Sequence, residues 1–199
     1  EDYETRQVSF RTVVGRLKHC PHFWYRDNYV AEEAIEKANN LKGQLYLTYP
    51  VAGTVTNYDD YEKVLHHIFY NELRVAPEEH RLLLTDYCNE LNDNKTVAQR
   101  KKITEMLFES FCVEGLYLAD KSIMSTYSTG RTSGIVVDCG YYNTRINAVY
   151  EGSCIPNSSQ SIDFAGYAIN NHFTKLMNDS NSGFSFITTK EQDILVDIK

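Results

Sequence analysis

Residues 130–152 read GRTSGIVVDCGYYNTRINAVYEG. Ile135, Val136 and Val137 form an apolar run into Asp138-Cys139-Gly140, and a second extended segment, residues 144–150, leads to Glu151-Gly152. The pattern predicts a buried strand, a tight glycine turn and a returning strand. An aspartate at the end of such a strand, with glycine two residues on, suits two roles. It can cap the turn of a plain β-hairpin. It can also help hold a phosphate and its metal, because glycine admits backbone N–H groups close to an anion and the carboxylate binds a hard cation or its waters.

Strands and helices alternate on both sides of this hairpin. Before it, residues 121–127 read as a helix running into Gly130, residues 115–119 as a short apolar segment, and the chain from Gln99 as a helix with Ile103, Met106, Leu107 and Phe111 on one side. Residues 87–98 are polar and read as a surface loop, and Leu82-Leu83-Leu84 reads as a strand buried on both faces. The clearest helix follows Thr56 or Asn57 as its cap. Asp59 and Asp60 suit its positive end, and Tyr61, Val64, Leu65, Ile68 and Phe69 form its apolar face. His66 and His67 are adjacent, so they do not share a helical face as metal ligands, and packing or surface roles are expected.

Nearer the start, residues 8–14 suggest a strand closed by Gly15, residues 32–39 a helix, and residues 44–49 a strand stopped by Pro50. Residues 19–28 read as an irregular loop displaying Phe23, Trp24 and Tyr25, a contact surface or half-buried packing. After the hairpin, Asp163 is expected to cap a helix with Ala165, Ile169, Phe173 and Leu176 as its stripe. Thr188 and Glu191 suggest a capping box for a last helix carrying Ile194, Leu195 and Ile198. The fold class expected is α/β, helices packed on a mixed sheet.

Composition narrows the function. The 199 residues are 42% hydrophobic and 24% charged, enough for a packed core. A net charge of -7 and a pI near 5.4 argue against general nucleic-acid binding, and Arg100-Lys101-Lys102 reads as a solvated helix face. The five cysteines, Cys20, Cys88, Cys112, Cys139 and Cys154, contain no C-x-x-C pair and fit reduced thiols. Asn94, Asn157 and Asn178 begin N-x-S/T sequons, but the acidic start lacks an apolar signal region, so chance matches are expected. No apolar run approaches membrane-spanning length, and a soluble intracellular protein is expected.

Residues 57–86, NYDDYEKVLHHIFYNELRVAPEEHRLLLTD, closely resemble actin over a long, nearly gapless run. The likeness continues through Val14-Gly15-Arg16, Tyr46-Leu47-Thr48-Tyr49-Pro50, Thr104-Glu105-Met106-Leu107-Phe108-Glu109 and Ser128-Thr129-Gly130-Arg131-Thr132. It extends to Val149-Tyr150-Glu151-Gly152, Asp163-Phe164-Ala165-Gly166 and Asp197-Ile198-Lys199, so it covers essentially the whole chain. The resemblance implies two lobes, each built on a ribonuclease-H-like sheet, closing over ATP and a divalent cation. It also implies that the sequence begins after the family's D-x-G-[ST]-G phosphate loop and stops inside the second lobe, roughly the first half of an actin-like chain. On this alignment residues 1–16 are part of the first-lobe sheet, 17–50 a small outer subdomain, 51–129 the rest of the first lobe, and 130–199 the start of the second.

The opening hairpin then matches the family's second phosphate loop, D-S-G-D-G-V-T, as Asp138-Cys139-Gly140-Tyr141-Tyr142-Asn143-Thr144. The resemblance implies ATP or ADP with Mg or Ca, with nucleotide contacts at Asp138, Gly140, Thr144, Gly166 and Lys199, and with Asp138 reaching the metal through water. Tyr141 and Tyr142 stand where the family has Asp and Gly. A tyrosine replaces neither a carboxylate that orients water nor a glycine at which backbone meets phosphate. Lys121 and Arg145 stand where actins carry the Gln and His that arrange the attacking water, and both offer donors only. They retain charge with which to bind phosphate or to form structural ion pairs.

The resemblance also implies partners. Tyr127, Gly130 and Thr132 match part of the groove where actin-binding helices and neighbouring subunits dock, and Phe23, Trp24 and Tyr25 fall in the loop that actins insert into the next subunit. That loop is shorter and differently composed here, and Val51-Ala52-Gly53 lacks the histidine that actins modify. The expectation is a divergent structural subunit of a cytoplasmic cytoskeletal filament or assembly, with a degenerate ATP site and little or no hydrolysis. The alternatives are a polymerising actin that binds and hydrolyses ATP, and a nuclear actin-related subunit of a chromatin-remodelling assembly.

Overall fold

The computed structural model describes residues 7–18, 26–41, 44–86, 94–179 and Ile198. The aromatic run Phe23-Trp24-Tyr25, the capping box Thr188/Glu191 with Ile194 and Leu195, and Lys199 lie outside them. The chain is α/β, as expected, and divides into two units: Glu1–Leu84 with Leu91–Leu118, and Thr85–Glu90 with Ala119–Lys199.

The first unit carries a three-stranded antiparallel sheet of β1 (Val14–Leu17), β2 (Asn28–Val30) and β3 (Leu45–Thr48) in the order β2-β1-β3. Gly15 lies inside β1, opposite Tyr29 and Leu47, instead of ending a strand at residues 8–14. Its role is close approach. A Cβ there would stand 2.5 Å from Leu45 Cδ2 and 3.2 Å from Ala34 Cβ of the covering helix α1 (Ala31–Asn40). β2 begins within the expected loop 19–28, because three residues are too few to show strand alternation. Val13, Tyr29, Ala34 and Leu45 form the core between α1 and the sheet. β4 (Val51–Ala52) and β5 (Thr54–Val55) make a hairpin at Gly53, whose φ is +75°.

Asn57 caps α2 (Tyr58–His66), its Oδ1 accepting from the Asp60 N–H at 3.2 Å. The helix continues as a π-helical segment, His67–Leu73, that ends at Arg74 in the left-handed region. His66 lies tilted against Tyr70 on the surface, and His67 meets Phe10 edge-on. After a 3₁₀ turn at Pro77–Glu79, β6 (Arg81–Asp86) pairs with β7 (Gly115–Asp120). The division between the units falls after Leu84 and after Leu118, near the ends of these strands. Leu82 and Leu84 pack on the core, but Leu83 is exposed: β6 buries one face, not two. The helix placed from Gln99 begins at Asn94 as α3 (Asn94–Glu109), so the segment 87–98 is not all loop. Its first residues, Asn94-Lys95-Thr96, are polar like those of a loop, and Val97 after them is exposed. Leu65, Phe69, Ile103, Leu107, Phe111 and Val113 form the main core.

The second unit opens with α4 (Lys121–Ser128), capped by Asp120, whose Oδ1 accepts from the Ser122 N–H at 2.7 Å. β8 (Gly134–Cys139) pairs antiparallel with β9 (Thr144–Tyr150), whose other edge takes β10 (Ser153–Cys154) and β11 (Gln160–Ile162). The hairpin is therefore present, but β8 is not buried. Ile135 is 76% exposed and Val137 58%, because they point away from α4 while Val136 and Asp138 point towards it. α5 (Gly166–Asp179) starts three residues after Asp163, which is not its cap. Its stripe is open as well, with Ile169 and Leu176 exposed. No described helix is long and apolar enough to cross a membrane.

Candidate functional site

Directly paired residues on neighbouring strands share a face, so the register Asp138↔Arg145 and Val136↔Asn147 puts Asp138, Arg145 and Asn147 together on the face that α4 covers. Two contacts hold the helix to that face. Asn147 Nδ2 donates to Ser122 Oγ at 2.6 Å, with both residues buried. Lys121 Nζ lies 2.7 Å from Asp138 Oδ2. The lysine side chain is 44% exposed and the aspartate 25%, so the ion pair fixes position more than it adds stability, on the order of 0.2–1 kcal/mol. Arg145 is buried beside them. The structure thus brings together Lys121, Asp138 and Arg145, 24 residues apart at the extremes (145 minus 121).

The tip of the hairpin is closed on itself. The Gly140 N–H donates to Asn143 O at 3.1 Å across the turn. The first N–H groups of α5, at Gly166 and Tyr167, donate to Gly140 O at 3.2 Å and Tyr141 O at 2.7 Å. Thr144 Oγ1 donates to Phe164 O at 2.6 Å. Three residues that the resemblance assigned to nucleotide, Gly140, Thr144 and Gly166, are therefore engaged within the hairpin and the start of α5. Tyr141 and Tyr142 meet edge-on at 4.9 Å between ring centres, and Tyr167 joins them at 5.8 and 5.9 Å. Tyr167 was not among the expected site residues. Its position, immediately after Gly166 in the sequence, was the available signal.

The expected partner residues lie at the far end of the same hairpin. Tyr127, Gly130 and Thr132 are all exposed. Thr132 O accepts from the Gly152 N–H at 2.8 Å, and a Cβ on Gly152 would stand 2.2 Å from Tyr127 Oη.

In the first unit, sequence reading missed a buried node. Asp60, placed only as a charge suited to a helix start, has no exposed surface. Its Oδ1 accepts from Arg16 Nε at 3.0 Å and also from Arg16 Nη2, and lies 3.6 Å from Lys63 Nζ. Its Oδ2 accepts from Thr48 Oγ1 at 2.8 Å and Asn57 Nδ2 at 3.0 Å. Burial pushes the carboxyl pKa up. The hydrogen bonds from Arg16 and Thr48, with the charges of Arg16 and Lys63, outweigh it and hold the group below its ordinary range. The same bond raises the Arg16 pKa further.

The Actin family's sequence profile matches residues 2–194. The chain belongs to the actin family. A Dictyostelium discoideum protein described as "Putative actin-29" is 39% identical over 202 residues, an alignment that covers 98% of this chain and 49% of that protein. The chain thus spans about half the length of this curated relative.

Actins generally bind a nucleotide with a divalent metal and associate with other actin subunits and binding proteins. The donor set of this actin-family chain does not fit that metal well. The Asp138 carboxylate already meets an ammonium at 2.7 Å, and Arg145 adds a second cation to the same face. A phosphate fits only in part, through the charge of Lys121, because the hairpin's backbone N–H at Gly140 is turned into the loop.

Proposed function

We propose that this actin-family chain serves as a structural subunit of a cytoskeletal filament or assembly in the cytoplasm. Its second phosphate hairpin is kept for shape, and it carries out little or no ATP hydrolysis. The observation that supports this reading is the hairpin tip: the Gly140 N–H is bonded to Asn143 O, and Tyr141, Tyr142 and Tyr167 pack together around it. A group that polarises water must accept a proton or a hydrogen bond, and Lys121 and Arg145 donate only. Nucleotide contacts, where they persist, involve Asp138, Gly140, Thr144, Gly166 and Lys199. Docking of helices or neighbouring subunits uses Tyr127, Gly130 and Thr132, with Phe23, Trp24 and Tyr25 as a second contact.

Loading the purified protein with ATP, removing free nucleotide and quantifying what remains tests the reading. Stoichiometric ADP would overturn it. Sedimentation with conventional actin tests the assembly role, and Tyr127→Ala is expected to reduce co-sedimentation. Equal pelleting of the variant would remove that residue from the interface.

A further inference from the structure

A hydrated divalent cation approaches a carboxylate with water O–H groups, all of them donors. A lysine ammonium approaches with three N–H groups and also has no acceptor. The two compete for the same oxygens with the same hydrogen-bond polarity. In this chain the ammonium is already there. Lys121 is the first residue of α4, and the Asp120 cap and the Ser122–Asn147 hydrogen bond fix where that end of the helix lies over the sheet. From that position its Nζ reaches Asp138 Oδ2 at 2.7 Å. Arg145, opposite Asp138 on β9, adds positive charge on the same face. The charged residues described on this seam include two cations, Lys121 and Arg145, with Asp138 and the capping carboxylate Asp120. Asp120 is buried with Oδ1 turned to the Ser122 N–H. A divalent ion entering here would meet two cations beside Asp138, and it would have to displace the lysine.

We propose that Lys121 takes the place of the divalent cation at Asp138, a counter-ion built into the chain. The hairpin then folds without metal, and Asp138 binds none. This rests on reading the hairpin as a former phosphate loop, and it deepens that reading by naming what replaced the metal.

Terbium(III) provides the test, since Tyr141 lies three residues from Asp138 and sensitises terbium luminescence at short range. The intact chain, without nucleotide, is titrated with terbium alongside Asp138→Asn, Lys121→Gln and the double variant. The sequence resemblance puts a glutamine at position 121 in actins, so Lys121→Gln keeps a residue the fold accepts. The native chain and Asp138→Asn are expected to give equal tyrosine-sensitised luminescence. Lys121→Gln is expected to exceed both several-fold and to fall back when Asp138→Asn is added. In parallel, magnesium or calcium should raise the thermal midpoint of Lys121→Gln and leave that of the native chain where EDTA leaves it. Native luminescence that falls on Asp138→Asn would overturn the proposal, and so would a Lys121→Gln variant with no gain in metal response. ADP formation by the native chain would sink the structural-subunit reading alone, since the titration contains no nucleotide.

Discussion

Replacing Asp60 by asparagine removes one charge and almost no volume from a fully buried position, so its cost reports the polar node directly. Oδ1 keeps its acceptor character towards Arg16, but the interaction loses its charge. Oδ2 becomes an NH₂ group facing Thr48 Oγ1 at 2.8 Å and Asn57 Nδ2 at 3.0 Å; the asparagine there is a donor against a donor. Thr48 can turn its hydroxyl to Val14 O, 3.1 Å away, so the mismatch falls mainly on the Asn57 amide. Breaking a buried ion pair costs about 3–5 kcal/mol. Arg16 is a third exposed and recovers some hydration, which places the expected loss at the low end, about 3 kcal/mol. For a chain of this length that is a fall of about 6–12 °C in thermal midpoint. Urea unfolding followed by circular dichroism gives the free energy. A loss under about 1 kcal/mol would refute the reasoning, because exposed pairs cost that little. The native pair also sets an acid limit. The Asp60 carboxyl is depressed in the folded chain, so its contribution is fully present above the ordinary carboxylate range near pH 4 and disappears as pH falls through the folded value. The Asp60→Asn variant should show a shallower loss of stability as pH falls below the ordinary carboxylate range.

Gly15→Ala should cost about 1–3 kcal/mol by overpacking, since Leu45 can shift but Ala34 Cβ, fixed on α1, cannot; chemical unfolding checks it. Ser122→Ala should cost about 1–3 kcal/mol by leaving the buried Asn147 amide without its 2.6 Å acceptor, and adding Asn147→Leu should recover part of that loss. Gly152→Ala should cost about 1–2 kcal/mol, because the residue sits at φ +76°, and it should also change the fluorescence of Tyr127, whose hydroxyl would have to move.

Local signals were legible in the sequence where a short stretch decides the outcome. Asn57 three residues before Asp60 marks a helix start, and the Tyr61–Phe69 stripe marks its buried face. The hairpin turn at Gly140 follows from its own residues. What the sequence does not display is which face of an element finds a cover. Ile135-Val136-Val137 is as apolar as a buried strand, but only Val136 turns towards α4. Leu83 stands outside its core for the same reason. The start of α3 was obscured by the polar run Asn94-Lys95-Thr96, which a loop would share. The Lys121–Asp138 pair depends on a helix and a strand 17 positions apart (138 minus 121) meeting at a particular register, which pattern alone does not encode. Asp60 likewise gathers Arg16, Thr48 and Lys63 from three elements.

The polar seam beneath α4 has a mechanical consequence. Helices packed through aliphatic side chains slide along a sheet in small steps, since one greasy contact replaces another. Here Ser122 must meet Asn147 and Lys121 must meet Asp138, and advancing by one turn, about 5.4 Å, breaks both at once. The helix is therefore pinned at one station along the sheet: it resists shear as a bolt does, releasing all together or not at all.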